Sequence, residues 1–415
     1  MLTVYNCLKD GDLLEFRTAN LQLMKEWNLS LLLKLIRHEP SISRAKLTAK
    51  TNLSPTTVSS LVAELIKNGL VREIGIGESA AGRKPILLEL IPNGRIALGI
   101  IINHDGIMVA PVNLIGQPLM IYKEQANLAD SQDIIEKIIA GIELSLKYLE
   151  EHHLSPSLAG AGIGVLGLVE GHKTRYLLGD DWHSFDLKPL LERYKNQFTF
   201  AIENDVNVMA LGETWFGIGE EKRHVLYVYL GYGLGAGLII NGNLYRGAYG
   251  NAGELGHMSI SSDGQKCSCG LVGCLGPVSD GTHVLLKIKE ALKNGEPTRM
   301  TLNNLSLETF ISGALDGDPL GKKILDEMIL NVSVGVISAI NLLNPSLVIL
   351  GGMLCPPDNI VSDKLINNIT KCSIEGHRNG FKVVASNLGT SAGVVGAATL
   401  VLKNLFELPA YTEKK

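Results

Sequence analysis

One imidazole and three thiols, His257, Cys267, Cys269 and Cys274, fall in a single glycine-punctuated stretch of the chain. Thiolate and imidazole are the donors of closed tetrahedral zinc sites, and four of them leave no position open for water. Three thiols this close would be an oxidation liability without a metal. The stretch is therefore expected to be tied by a structural Zn2+, with His257, Cys267, Cys269 and Cys274 as ligands. Six cysteines are too few to staple 415 residues by disulfides, and Cys7, Cys355 and Cys372 read as ordinary thiols.

At this length, with 46% hydrophobic residues, the chain can bury more than one core, so two or three domains are expected. Lys9, Asp10, Asp12 and Glu15 precede any apolar run, which excludes a secretory signal peptide, and no uncharged stretch reads as a membrane helix. The longest candidate, Val225 to Ile240, is broken by four glycines and reads as strand, turn and strand. No membrane partner is expected, and the cytoplasm is the expected location. Residues 1–90 hold 12 Lys and Arg against 9 Asp and Glu, and the remainder 26 against 33. The sign of that asymmetry suits a nucleic-acid-binding head.

The domains expected are 1–90, a winged helix-turn-helix, and 91–415, a larger α/β domain. In the first, Leu29, Leu32, Leu33 and Ile36 recur at helical spacing and stop near Pro40. Ser43 is placed to cap a short helix from Arg44 to Lys50, and Ser54-Pro55 to open a third helix ending at Gly69. Val58, Leu61, Leu65 and Val62 form its buried stripe, with short polar side chains near its N-terminus. A recognition helix is built this way, because its first turns meet phosphates and base edges. Two strands around a small-residue loop, followed by Arg83-Lys84, read as a wing whose cations reach backbone phosphate. The expected contacts to a double-stranded DNA operator are Arg44, Ser54, Thr56, Thr57, Ser59, Ser60, Arg83 and Lys84.

After Pro92 the pattern predicts strands at 96–102 and 107–112, a third near 119–122, a helix over 131–151 and a strand over 159–166. A second half opens near Phe198 with a strand into Glu203-Asn204-Asp205, then a helix, and strands at 225–230 and 238–240 around a glycine loop. The last third reads as mainly helical, with a strand at 347–350. Two α/β halves imply a cleft between them.

Four segments are similar to those of a known family: Leu53 to Ser59, Gly82 to Pro85, Glu203-Asn204-Asp205-Val206-Asn207, and Gly253-Glu254-Leu255-Gly256-His257 with the cysteine run that follows. The chain resembles the ROK family of repressors, open reading frames and sugar kinases, and its regulator branch in particular. The resemblance covers nearly the whole chain. It implies a two-lobed, actin-like (RNase H-like) sugar-kinase-like domain behind the winged helix-turn-helix, and a homodimer or higher homo-oligomer. It also implies a monosaccharide effector, xylose or another sugar, and assigns Asn204, Asp205, Glu254 and His257 to sugar binding. The function expected is a repressor of carbohydrate-utilisation genes; the alternative is an ATP-dependent sugar kinase with an appended DNA-binding head.

Phosphoryl transfer asks for a base near the accepting hydroxyl, backbone that cradles phosphates, and acids that organise Mg2+. Asp205 stands where the family's kinases keep the base, and Gly231 to Gly237 resembles a phosphate loop. The kinase pattern Asp-x-Gly-Gly-Thr, however, is met here by Ile101-Ile102-Asn103-His104-Asp105. With the acid and both glycines gone, no catalysis is expected. A second departure is Gly276, where the family usually carries a Glu.

Overall fold

Serine caps organise the head. In the computed structural model, which describes residues 21–76, 84–178, 181–356, 359–372 and 380–406, helix α1 (Leu21–His38) is followed by the short strand β1 (Ile42–Ser43). The Ser43 side chain accepts from Lys46 N and so caps α2 (Arg44–Thr51). That helix stops where Asn52 turns left-handed at φ 56°, a conformation asparagine tolerates. Ser54 then caps α3 (Pro55–Lys67), with Pro55 at its start, where the missing N–H leaves no hydrogen bond unmade. Val58, Leu61, Val62 and Leu65 are its buried residues, as their spacing predicts. β2 (Val71–Ile76) and β3 (Ile86–Leu90) pair antiparallel in a sheet ordered β1-β3-β2. Helix α1 begins well before Asn28, where periodicity predicts it. Leu21 and Met24 lie 87% and 50% exposed, so the first turns carry no stripe for periodicity to reveal.

The described residues fall into two compact units, one reaching to Ile96 and including Leu402–Phe406, the other Ala97–Val401. The division lies beyond residue 90, and the final residues, which the sequence assigns to the larger domain, join the head. There Phe406 is fully buried, the Arg37 guanidinium stands 5.4 Å from its ring centroid, and Ser30 Oγ donates to Leu405 O at 3.5 Å.

The second unit opens with β4 (Ile96–Asn103), β5 (Gly106–Asn113) and β6 (Tyr122–Glu124), then α4 (Ser131–Glu151) and β7 (Leu158–Val165). β8 (Leu168–Glu170), β9 (Lys173–Leu178) and β10 (Asp181–Asp186) make a small antiparallel sheet of their own before α5 (Lys188–Tyr194). β11 (Phe200–Asn204) runs parallel to β7, completing a sheet ordered β11-β7-β4-β5-β6. α6 (Asp205–Phe216) starts directly from it. The second half holds β12 (Val225–Leu230), β13 (Leu234–Ile240) and β14 (Asn243–Leu244), then α7 (Gly276–Ser279), α8 (Gly281–Lys293), α9 (Leu307–Leu315) and α10 (Pro319–Leu343). β15 (Leu347–Gly351), α11 (Ile360–Cys372), β16 (Lys382–Ala385) and a closing helix, Ala392–Leu402, finish it, with sheet order β14-β13-β12-β15-β16.

Strands β4 and β5 are buried at every position, as strands covered on both faces must be. The closing helix lies so near β4 and β7 that a Cβ on Gly99 or Gly162 would stand 1.9 and 1.7 Å from the carbonyl oxygens of Val394 and Ala397. β13 begins at Leu234 rather than Leu238, running through Gly235 and Gly237. A Cβ at Gly237 would meet Ala210 Cβ at 2.6 Å, so glycine lets α6 lie flat on the strand. The sequence gives no sign of the β8-β9-β10 sheet, α5 or β16. Among the described helices α10 has the length and apolarity to cross a membrane, although it carries Lys322, Lys323, Asp326 and Glu327 and is no uncharged stretch. Its apolar face, from Leu320 to Ile340, is buried in a hydrophobic core shared with α9 and α11.

Candidate functional site

The segment from β11 into α6 sets the floor of a cavity of about 450 Å³ in the second unit, lined by Asn204, Asp205, Glu254 and His257 together. The side chain of Asn204 is already engaged. Oδ1 accepts from Val206 N and Asn207 N at 2.9 and 3.0 Å, capping α6, and Nδ2 donates to Gly167 O at 3.1 Å. One amide hydrogen is left to meet a ligand. Asp205, 7% exposed, has its acidity weakened by burial, which pushes its pKa up to about 7 against the pull of the Val206 N–H; Asp105 and Glu254 add to the rise. Glu254 opens onto the cavity but is surrounded by protein, so burial raises it too, with His257 opposing. Behind them Glu203 fastens the loop after β14: its Oε2 accepts from Arg246 Nε at 2.6 Å and its Oε1 from Asn207 Nδ2 at 3.1 Å.

His257 also belongs to a second constellation. The ligand atoms of His257, Cys267, Cys269 and Cys274 lie within 4.8 Å of one another, a set that could hold a metal ion. Cys267 Sγ stands 3.6 Å from His257 Nδ1, and Cys269 Sγ 3.7 Å from Cys274 Sγ. Bridges between Ser259 and Cys274 and between Lys266 and Val272 fold the loop back on itself. Gly273 permits this, since at φ 73° a Cβ would strike Ser261 O at 1.8 Å. Burial and the neighbouring thiols push the Cys274 thiol up to about 12.

At the turn between β4 and β5 the chain is packed rather than open. Ile101 is 2% exposed, and its side chain fills the space beside Gly164 and Gly393. Asn103 Oδ1 accepts from Asp105 N at 2.9 Å, and Asp105 Oδ2 accepts from Tyr229 Oη at 3.1 Å. Burial holds Asp105 above the ordinary carboxylate range, and lowers His104. In the glycine loop, Gly231 N donates to Gly233 O, while Gly281 N and Thr282 N donate to Gly231 O and Tyr232 O. These amides are committed within the protein.

In the head, Thr56, Ser59 and Ser60 are exposed on α3, and Thr57 is half-buried with its hydroxyl 2.8 Å from Ser54 Oγ. Ser54 and Thr57 therefore serve the cap as well as the helix face. Arg44 is paired with Glu73 at 2.8 Å, Lys84 is exposed, and Arg83 lies outside the described residues. Several cavity residues escape sequence reasoning: Trp182 on β10, stacked by Arg175 at 4.5 Å, and Asp280 with His283 at the start of α8. In the sequence Asp280 looks like any helix-capping acid, which it also is, and nothing marks it as facing a cavity.

Residues 99–404 match the ROK family, and residues 29–72 a winged helix-turn-helix DNA-binding family. The xylose repressor of Caldicellulosiruptor bescii is 32% identical over 402 residues, covering 95% of this chain and all of that protein. Among solved structures, a ROK family transcriptional regulator homologous to the Escherichia coli MLC protein superposes with a TM-score of 0.75 at 26% identity. That match covers 92% of this chain and 97% of that one. A ROK glucokinase from Streptomyces griseus, solved with glucose and AMPPNP, superposes with a TM-score of 0.61 at 27% identity, over 74% of this chain and 99% of its own.

Proposed function

We propose, because the chain belongs to the ROK family and carries a winged helix-turn-helix in front of that fold, that it is a sugar-responsive transcriptional repressor. The observation that carries this reading is the coexistence of two features in one chain: an exposed polar face on α3 and a cavity lined by acidic side chains suited to sugar hydroxyls. The end-to-end similarity to a xylose repressor supports it, and xylose or a related monosaccharide is the effector class. Thr56, Thr57, Ser59 and Ser60 would meet the operator, with Arg44, Ser54, Arg83 and Lys84 toward phosphates. Asn204, Asp205, Glu254 and His257 would hold the sugar, whose differential affinity for two arrangements of the protein sets the DNA affinity. A homodimer or higher oligomer would match paired half-sites, and the cytoplasm is where such an operator lies.

Zinc suits the four-ligand cluster. A tetrahedron with Zn–S of about 2.3 Å and Zn–N of about 2.0 Å has edges of about 3.8 Å between sulfurs and about 3.5 Å between sulfur and nitrogen. The separations of 3.7 and 3.6 Å fit. The ion would be structural, holding Glu254 and His257 on one braced loop.

The likeness to a glucokinase favours a second reading, a sugar kinase with a DNA-binding head. Against it, Ile101 is core filling where an acid would be required, and in the glycine loop the Gly231 amide is spent on the Gly233 carbonyl. The deciding experiment is fluorescence anisotropy of the full chain on the DNA upstream of its own gene, at fixed salt, with and without sugars. Tight binding weakened by one sugar is the expected result. Absence of specific binding, together with sugar-dependent ADP release, would replace this reading with the kinase.

A further inference from the structure

The corner of the cavity beside Gly276 holds a carboxylate that nothing so far has accounted for. Asp280 is 9% exposed and lines the cavity. One oxygen, Oδ1, is fully used: it accepts from His283 N at 2.9 Å and lies 2.7 Å from His283 Nδ1. The other, Oδ2, has no hydrogen-bond partner among the described residues. It lies 3.2 Å from where a Cβ on Gly276 would stand, so the missing side chain at 276 is what leaves this oxygen its room. An acceptor that is nearly buried and faces a cavity calls for a donor from whatever fills that cavity.

The charge around it narrows the donor. Asp205, Glu254 and Asp280 line the same cavity, while the guanidinium among its described lining residues, that of Arg175, is stacked on Trp182. A phosphate would enter beside these acidic side chains, in surroundings where like charges repel strongly. Hydroxyls, which donate to carboxylates and carry no charge, suit the same walls.

From this geometry we infer that Asp280 is an effector-binding residue, and that with it the cavity selects a neutral, unphosphorylated sugar over the corresponding sugar phosphate. The inference rests on the cavity being the effector site. His283 acts as a positioning residue, holding the Asp280 carboxylate with Oδ2 turned inward.

Calorimetric titration of the full-length protein with xylose, glucose and the phosphate esters of each tests it. One neutral sugar is expected to bind at least about a hundredfold tighter than its ester. Asp280→Asn keeps the shape of the side chain and its cap on α8; it should weaken the neutral sugar by about tenfold and narrow the discrimination against the ester. A wild-type preference for the ester, or an Asp280→Asn protein that binds both ligands as before, would overturn the inference while leaving the sugar-sensing reading intact. Binding of none of these ligands would overturn both.

Discussion

Asp205 holds its proton into the neutral range because the folded chain removes its carboxylate from water before offering it a partner. A carboxyl whose pKa rises from 3.8 in the unfolded chain to about 7 in the folded one keeps a proton that unfolding would release. Its stabilising effect is complete below about pH 4 and is lost as pH climbs toward about 7. Urea unfolding of the full chain across that window should therefore show stability falling with rising pH, by a few kcal/mol at most, and Asp205→Asn should flatten part of the slope. An unchanged slope would mean that the carboxyl is solvated after all. Sugar binding should run the other way. A hydroxyl bonds more strongly to the ionised carboxylate, so affinity should rise between about pH 6 and pH 8, and this trend should vanish in the same variant.

At the scale of elements, the loop from Gly253 to Cys274 shows how one constellation serves two ends. His257 lines the cavity and stands 3.6 Å from a thiol, so in the proposed reading a metal that braces the loop also shapes the sugar site. If the cluster holds zinc as proposed, removing it with a chelator, or substituting Cys269→Ser, should lower the melting midpoint by a few degrees and weaken sugar binding together. A loss of metal, measured by atomic absorption, with melting and sugar affinity untouched would disconnect the two. This loop was legible in the sequence because ligand chemistry restricts residue type at each position. The head was legible for a similar reason, Ser43, Ser54 and Pro55 being residues whose hydrogen bonding suits helix starts. The small sheet at 168–186 was not. Its last strand, Asp181–Asp186, has no apolar alternation, and its pairing with β9 is long-range information that local pattern does not hold. Asp280 stayed hidden because its cap and its cavity-facing oxygen are the same side chain, and sequence displays only the cap.

Across the whole molecule, the sequence suggests a head followed by a body, whereas the described chain passes between the two units at Ile96/Ala97 and again at Val401/Leu402. Phe406, buried in the head unit, is therefore a core residue supplied from the far end of the chain. Phe406→Ala should cost the head about 3–5 kcal/mol and abolish operator binding, while sugar binding by the larger unit persists. Retention of full operator affinity would show that the head stands without its C-terminal segment.

A head assembled from two separated stretches of chain makes the larger unit the insertion, rather than the head a bead on a string. A swap of operator specificity between such regulators has to carry two cassettes, the residues through Ile96 and those from Leu402 onward, or the donated head arrives without part of its own interior.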